Sequence, residues 1–360
     1  MTTRLTLSID AMGGDNAPEM VIDGVEAAAR QNPSLRFLLY GDETRLNEIL
    51  DSYPAAKNAS EVRHAPDVVG SGDKVAVALR AGRQSSMRLA INAVGDGEAD
   101  AVVSAGNTGA LMAMAKFVLK TLPGIDRPAI ATYFPTMRSQ TVMLDLGANV
   151  ECDADNLLQF AVMGEVFARN VLGCEHPSVG ILNVGAEDLK GNQEVRGAAE
   201  LLQQTHLPIR FHGFVEGDDI AKGTVDVIVT DGFTGNVALK TAEGMASMFG
   251  HFLRSALTSS LLGKLGALIA RPALLQFKKK FDPRLYNGAM FVGLNGICVK
   301  SHGGTDGIGF ANAIGVAVNL VRNNFNEGIK EDCAQLLEDR DAAILSSDAS
   351  DVENPEAAAS

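Results

Sequence analysis

A ten-residue pattern that occurs twice constrains this chain more than any other feature. Residues 100–109, DAVVSAGNTG, align without a gap to residues 226–235, DVIVTDGFTG. The opening Asp, the last Val, the Gly, the Thr and the closing Gly are shared, and Ser104 matches Thr230. Each copy opens with an apolar, β-branched run that reads as a buried strand. Each then turns through polar and glycine residues into a helical pattern, which in the second copy is expected from Val237. A strand that exits directly into a helix leaves backbone N–H groups at the carboxyl edge of its sheet, a natural place for an anion. Two such units predict a pair of phosphate-sized cradles, or the two sides of one cleft.

The same alternation extends along the chain. Strands are expected at Leu5–Asp10, Arg36–Tyr40, around Val62, Ala129–Phe134, Thr141–Leu146, Ser178–Val184, Ile209–Phe214 and Ile297–Ser301. Helical patterns alternate with them, including 73–95 with a break at Gly82, Thr108–Leu119, Asp155–Leu172 and Gln193–Gln204. The fold class that follows is α/β, a largely parallel sheet with helices on both faces. No linker divides residues 1–330, which are expected to form one catalytic unit of two intimately packed subdomains. Residues 331–360 are expected to be an acidic, partly disordered tail.

Polar residues cluster at the strand exits. Asp10, Asn16, Ser104, Asn107, Thr108, Asp145, Asn149, Lys190, Asp231, Thr234, Asn236, Asn295, His302, Gly303, Gly304 and Thr305 all lie in or beside these turns. Small donors, amides and two possible cations suit a compact oxyanion better than a large apolar ligand. No G-x-G-x-x-G follows the first strand, and P-loop, HExxH and G-x-S-x-G patterns are absent. No cofactor and no metal site are therefore expected. Cys152, Cys174, Cys298 and Cys333 lack metal-ligand spacing and read as buried thiols. A net charge of −13 and no Trp argue against a nucleic-acid partner. No apolar run is long enough to span a membrane.

One stretch departs from the alternation. Residues 244–281 contain no Asp or Glu, yet carry Arg254, Lys264, Arg271, Lys278, Lys279 and Lys280 among many apolar residues. A basic rim on an apolar face suits an anionic membrane surface or an acidic partner. Leu261, Leu262, Lys264, Leu265, Leu268 and Lys278–Lys280 are the expected contacts.

Seven blocks in order, IDAMGGDNAP (9–18), SSMRLAINAV (85–94), ADAVVSAGNTGALMA (99–113), LDLGANV (144–150), KGN (190–192), VTDGFTGNVALKT (229–241) and SHGGTDGIGFANAI (301–314), resemble the bacterial phosphate acyltransferases of phospholipid synthesis. The resemblance implies an isocitrate/isopropylmalate dehydrogenase-like fold with a protruding helical segment, and a homodimer. It implies acyl phosphate made from acyl-acyl carrier protein and inorganic phosphate, for a membrane glycerol-3-phosphate acyltransferase. It also implies a cytoplasmic protein held at the inner face of the cell membrane. For direct acyl transfer, which fits both the residues and the resemblance, Ser104–Thr108 and His302–Thr305 are assigned to phosphate. Lys190 and Asn236 would serve the oxyanion, and Asp10, Asn16, Asp145 and Asn149 would orient them. The alternatives are a phosphate acetyltransferase-like enzyme using acyl-coenzyme A, a metal- and nicotinamide-dependent dehydrogenase of the same fold, and a non-enzymatic membrane scaffold.

Overall fold

The structure, a computed structural model, describes residues 4–334 apart from Pro208 and Phe281. The side chains of Val171, residues 277–280 and Pro283 are also outside the description. Among the described residues, eleven strands are interspersed with helices in chain order. They are β1 (Thr6–Asp10), β2 (Arg36–Gly41), β3 (Ser60–His64), β4 (Ala101–Ser104), β5 (Ala129–Pro135), β6 (Gln140–Leu144), β7 (Ser178–Leu182), β8 (Arg210–Val215), β9 (Val227–Val229), β10 (Ala289–Val292) and β11 (Ile297–Lys300). All belong to one sheet, in the order β3-β2-β1-β4-β11-β10-β5-β6-β9-β7-β8.

Strand direction divides this sheet. β3, β2, β1, β4 and β11 are mutually parallel. β10 runs against both β11 and β5, and β5 runs against β6. β6, β9, β7 and β8 are parallel among themselves. These three reversals leave the second parallel group pointing opposite to the first. The strands of the first half therefore end at one edge of the sheet, here called the first edge, and those of the second half end at the other, the second edge.

One face is covered by helices Glu19–Gln31, Ala154–Leu172, Gln193–Gln204 and Gly307–Arg322, and packs Leu7, Ile9, Val103, Leu144 and Val229. The other face carries helices Val75–Ala81, Ser86–Gly95 and Thr108–Leu119, and packs Val102, Met143, Ile228 and Phe291. The expected break at Gly82 is a short 3-10 turn between the first two of these helices.

Helix starts follow local capping chemistry. Asn107, Asp153, Asn192, Asp231 and Asp306 each accept a backbone N–H from the first helical turn. The two repeated units diverge here. Asn107 caps the first at Thr108, whereas Asp231 caps the second at Gly232, five residues ahead of the expected start at Val237. Gly232 and Gly235 thus belong to a helix although glycine disfavours one. A Cβ on Gly235 would lie 1.9 Å from the Asp145 carbonyl oxygen, so only glycine lets the helix come this close to β6.

That helix, Gly232–Thr258, outruns the body and is followed by helices Leu261–Ile269 and Arg271–Lys280. Every residue from Lys240 to Phe252 is exposed, and Leu261–Ile269 buries none. The arm therefore projects rather than packs, as expected of a helical tip. The side chains of Lys278, Lys279 and Lys280 lie outside the described residues. No described helix is long and apolar enough to cross a membrane.

The structure adds two elements and corrects the reading of the cysteines. The strand Ala289–Val292 and the helix Pro54–Ala59 are too short and too weakly patterned to stand out in the sequence. Cys298 and Cys333 are buried but Cys152 and Cys174 only partly so. At the start of the tail, Cys333 packs into the core cluster with Ile329; residues 335–360 lie outside the described residues.

Candidate functional site

Three units, β1, β4 and β11, exit at the first edge, and each leads into a helix whose N-terminus stands there: Glu19–Gln31, Thr108–Leu119 and Gly307–Arg322. Asp10 ends β1 and is fully buried. Its carboxylate accepts Ser86 Oγ at 2.6 Å and Ser104 Oγ at 2.7 Å, as well as the N–H groups of Met12 and Gly13. Burial pushes this carboxyl above the usual carboxylate range, while those hydrogen bonds pull it back. A Cβ on Gly13 would lie 2.4 Å from the Asp10 carboxylate, so the turn must pass this close with no side chain. Ser104 Oγ in turn accepts the Gly106 N–H at 3.0 Å. The Asp15 N–H donates to the Gly303 carbonyl at 2.9 Å and ties the β1 and β11 turns together.

The β11 turn is braced from beneath. Asn287 Nδ2 donates to Ser301 Oγ at 2.8 Å and its Oδ1 accepts the His302 N–H at 2.8 Å. His302 is exposed, and its Nδ1 accepts the Gly304 N–H at 3.2 Å, which leaves Nε2 as a donor. Gly303, Gly304 and Thr305 lie beside it, with the Thr305 N–H donating to the His302 carbonyl. Asn16 and Thr108 are exposed at two of the helix starts.

Lys300 joins this group unexpectedly. It ends β11 part-buried, with Nζ donating to the carbonyl oxygens of Ala105, at 3.4 Å, and Ser301. Burial lowers its pKa to about 8, and the carboxylates of Asp10 and Asp15 draw it back upward. A lone Lys at the end of an apolar strand reads as a surface residue. The one sequence signal was its place directly before Ser301-His302-Gly303-Gly304.

The second edge collects the other expected residues. Asp145 is fully buried after β6. Its carboxylate accepts the N–H groups of Ile130, Ala148 and Asn149 and the Asn149 side-chain amide, at 2.6–3.1 Å. Asn149 also donates to the Pro128 carbonyl and accepts the Gly232 N–H through its own carbonyl. Both residues are thus committed to holding the turn, with burial raising the Asp145 pKa. Asp231 accepts both the N–H and the hydroxyl of Thr234. Asn236 is exposed beside Gly147. Lys190 is exposed in the β7 exit turn, its carbonyl held by Asn183 Nδ2 at 3.1 Å.

Two expected residues serve structure. Asn107 spends its Oδ1 on the helix cap and its Nδ2 on the carbonyls of Ser71 and Asp73. Asn295 sits in the β10–β11 turn, away from the β11 exit, and donates to the Thr121 carbonyl at 2.8 Å.

The two edges do not form one cradle pair. β4 and β6 are four strand spacings apart and end oppositely. With strands about 4.8 Å apart and about 3.3 Å per residue along them, the groups are on the order of 20 Å from each other. Lys190 and Asn236 therefore do not meet His302 or Ser104 within one chain.

A cavity of about 710 Å³ spans the gap in part. Asn183, Asn192, Thr230, Asp231 and Thr234 line it at the second edge. Phe134 and Pro135, at its other end, close β5 at the first edge, two strands from Lys300. Leu182, Ile220, Val237 and Ala238 make the walls largely apolar. Such a slot takes an extended apolar ligand with polar groups at its ends.

A family described as "Fatty acid synthesis protein" matches residues 5–328. A phosphate acyltransferase of Rhodospirillum centenum is 61% identical over 346 residues, 96% of this chain and 98% of that one. One from Rhodospirillum rubrum is 59% identical, over 93% of this chain and 96% of its own length. Among solved structures, a phosphotransacetylase from Streptococcus pyogenes matches with a TM-score of 0.63 at 15% identity, covering 89% of this chain and 95% of that one; it is alike in fold.

Proposed function

The chain belongs to the fatty acid synthesis protein family, and from that premise we propose that it transfers an acyl group from a thioester on acyl carrier protein to inorganic phosphate. The observation that carries this is the first edge. Three helix N-termini and the Lys300 ammonium surround a turn surface of small residues, the setting in which a phosphate is held. The cavity supports an acyl thioester as the second reactant, because its walls are largely apolar and polar residues line it at the second edge.

In the reaction a phosphate oxygen attacks the thioester carbonyl. The C–O bond forms, the C–S bond breaks, and the electron pair leaves with the pantetheine sulfur as thiolate. Phosphate is already anionic, and a thiol pKa near roughly 8.5 makes the thiolate a ready leaving group. The protein's larger task is to hold two anionic reactants together and to stabilise the tetrahedral oxyanion. Lys300, His302 and the turn at Gly303 act on phosphate, while Ser104, its hydroxyl spent between Asp10 and Gly106, positions the β4 turn. Lys190 and Asn236, on the second edge, act on the thioester donor.

The arm supports contact with an anionic membrane surface, where a membrane glycerol-3-phosphate acyltransferase would take up the product. Leu261, Leu262 and Leu268 are 85%, 81% and 65% exposed on it, beside Lys264 and Leu265. Each inserted Leu contributes roughly 1.5–3 kcal/mol if fully buried, and each cation near an anionic surface about 1 kcal/mol. A homodimer would present two such arms.

The test is release of free thiol from hexadecanoyl-acyl carrier protein, with and without phosphate and with EDTA. Phosphate-dependent, EDTA-resistant release is expected. Release only from acyl-coenzyme A would favour the acetyltransferase-like alternative, and EDTA-sensitive activity restored by magnesium would end the proposal.

A further inference from the structure

We propose that the outer face of helices Val75–Ala81, Ser86–Gly95 and Thr108–Leu119 is the docking surface for an acidic carrier domain, the protein that delivers the acyl thioester; this rests on the function proposed above. Residues 74–95 and 101–125 contain no Asp or Glu, although the chain carries a net charge of −13. The fold packs these two stretches side by side. A Cβ on Gly82 would meet Met114 Cε at 3.0 Å, and one on Gly95 would meet Val118 at 2.9 Å. Their cations consequently lie on one side of the sheet.

Arg80, Arg83 and Lys116 are exposed there, and none makes an ion pair among the described residues. Arg83 lies near enough to Arg88 for the two cations to repel, and burial and that repulsion both lower the Arg88 pKa. Arg88 instead lies over the Phe117 ring, 4.9 Å from its centroid. Phe117 is 70% exposed and Val77 55%. An exposed aromatic side chain held by one cation, on a face whose other cations make no ion pair, suits a partner that brings carboxylates around a small apolar centre.

The occupant follows from this shape. A bilayer needs a broad apolar area, which the arm has and this face lacks. An acidic helix supplies several carboxylates at fixed spacing and a few apolar side chains between them. The face also borders the site. Asn107 binds the Ser71 and Asp73 carbonyls, so the segment leading into Val75 is fastened to the first-edge turn. The cavity opens on the same side of the sheet, because Phe134, Leu182 and Ile220 pack with the cluster that includes Met87 and Met114. A carrier seated here delivers its arm without crossing the sheet.

The experiment compares the full-length parent with the variant Arg80→Glu, Arg83→Glu, Lys116→Glu in steady-state kinetics. The expected result is a KM for hexadecanoyl-acyl carrier protein raised about tenfold or more, with kcat and the phosphate KM within about twofold. Arg83→Gln with Lys116→Gln serves as a milder pair, expected to flatten the salt dependence of the carrier KM. A carrier KM within twofold of the parent in both variants overturns the proposal. So does loss of anionic-vesicle binding without a change in carrier KM, or a change in sedimentation mass, since these would make the face a lipid or self-association surface. A parent that releases no thiol from the acyl carrier overturns the function beneath it, which an active parent with an unaffected variant does not.

Discussion

Replacing Lys300 by Met keeps a side chain of similar length and removes the cation at the first edge. Burial brings the Lys300 pKa to about 8 from its ordinary value of 10.5, which makes the charged form on the order of 3 kcal/mol costlier. A phosphate beside Nζ offsets that cost and gains a hydrogen bond between charged groups, a contribution of about 1.5–3 kcal/mol. Lys300→Met should therefore raise the phosphate KM about 10- to 100-fold at pH 7, while the KM for the acyl donor stays near the parent's. The parent should hold its phosphate affinity below about pH 8 and lose it above, as Lys300 gives up its proton. The variant should lack that loss. Stability of the unliganded protein runs the other way. Between pH 8 and 10.5 the unfolded chain binds the proton and the native chain does not, so native stability rises with pH. Lys300→Met should remove this rise as well. Initial rates against phosphate at several pH values, and urea unfolding at the same pH values, read both effects. A phosphate KM within twofold of the parent throughout, with an unchanged pH profile, would take Lys300 out of the site.

Lys190→Ala should impair the donor side, raising the donor KM about tenfold or more, the effect of losing one charged contact, with turnover and the phosphate KM near the parent's. A shift in phosphate KM would mean that the two edges act on one site. Gly235→Ala should destabilise the fold by about 1–3 kcal/mol or more, because its Cβ has 1.9 Å to the Asp145 carbonyl oxygen; an unchanged urea midpoint would refute the packing described for this helix. Leu261→Glu with Leu265→Glu should abolish sedimentation with anionic vesicles, and equal sedimentation of parent and variant would assign the arm to another contact.

Much of the chain was legible before folding because its signals are local. β-branched runs marked the strands, and Asn107 and Asn192 stand directly before the expected helix starts, since a cap bonds to a residue only three positions on; Asp231 gave no such signal, because glycines follow it. The polar turns at Asp10, Ser104 and His302 were legible for the same reason, each being a strand exit. The arm stood out by composition, as no core explains the loss of every acid over 244–281.

What the sequence could not convey is non-local. Strand direction depends on which strands pair, and the reversals at β10 and β6 rest on partners far apart in the chain. Those reversals alone set Lys190 and Asn236 against the edge opposite His302, although the two repeated units look interchangeable. Burial is equally a property of neighbours. Lys300 became a buried cation only when β11 was enclosed between β4 and β10, and Asn149 became a brace only when Pro128 and Gly232 closed on it. Local chemistry determined the elements and their polar ends; pairing and packing decided which of those ends can meet.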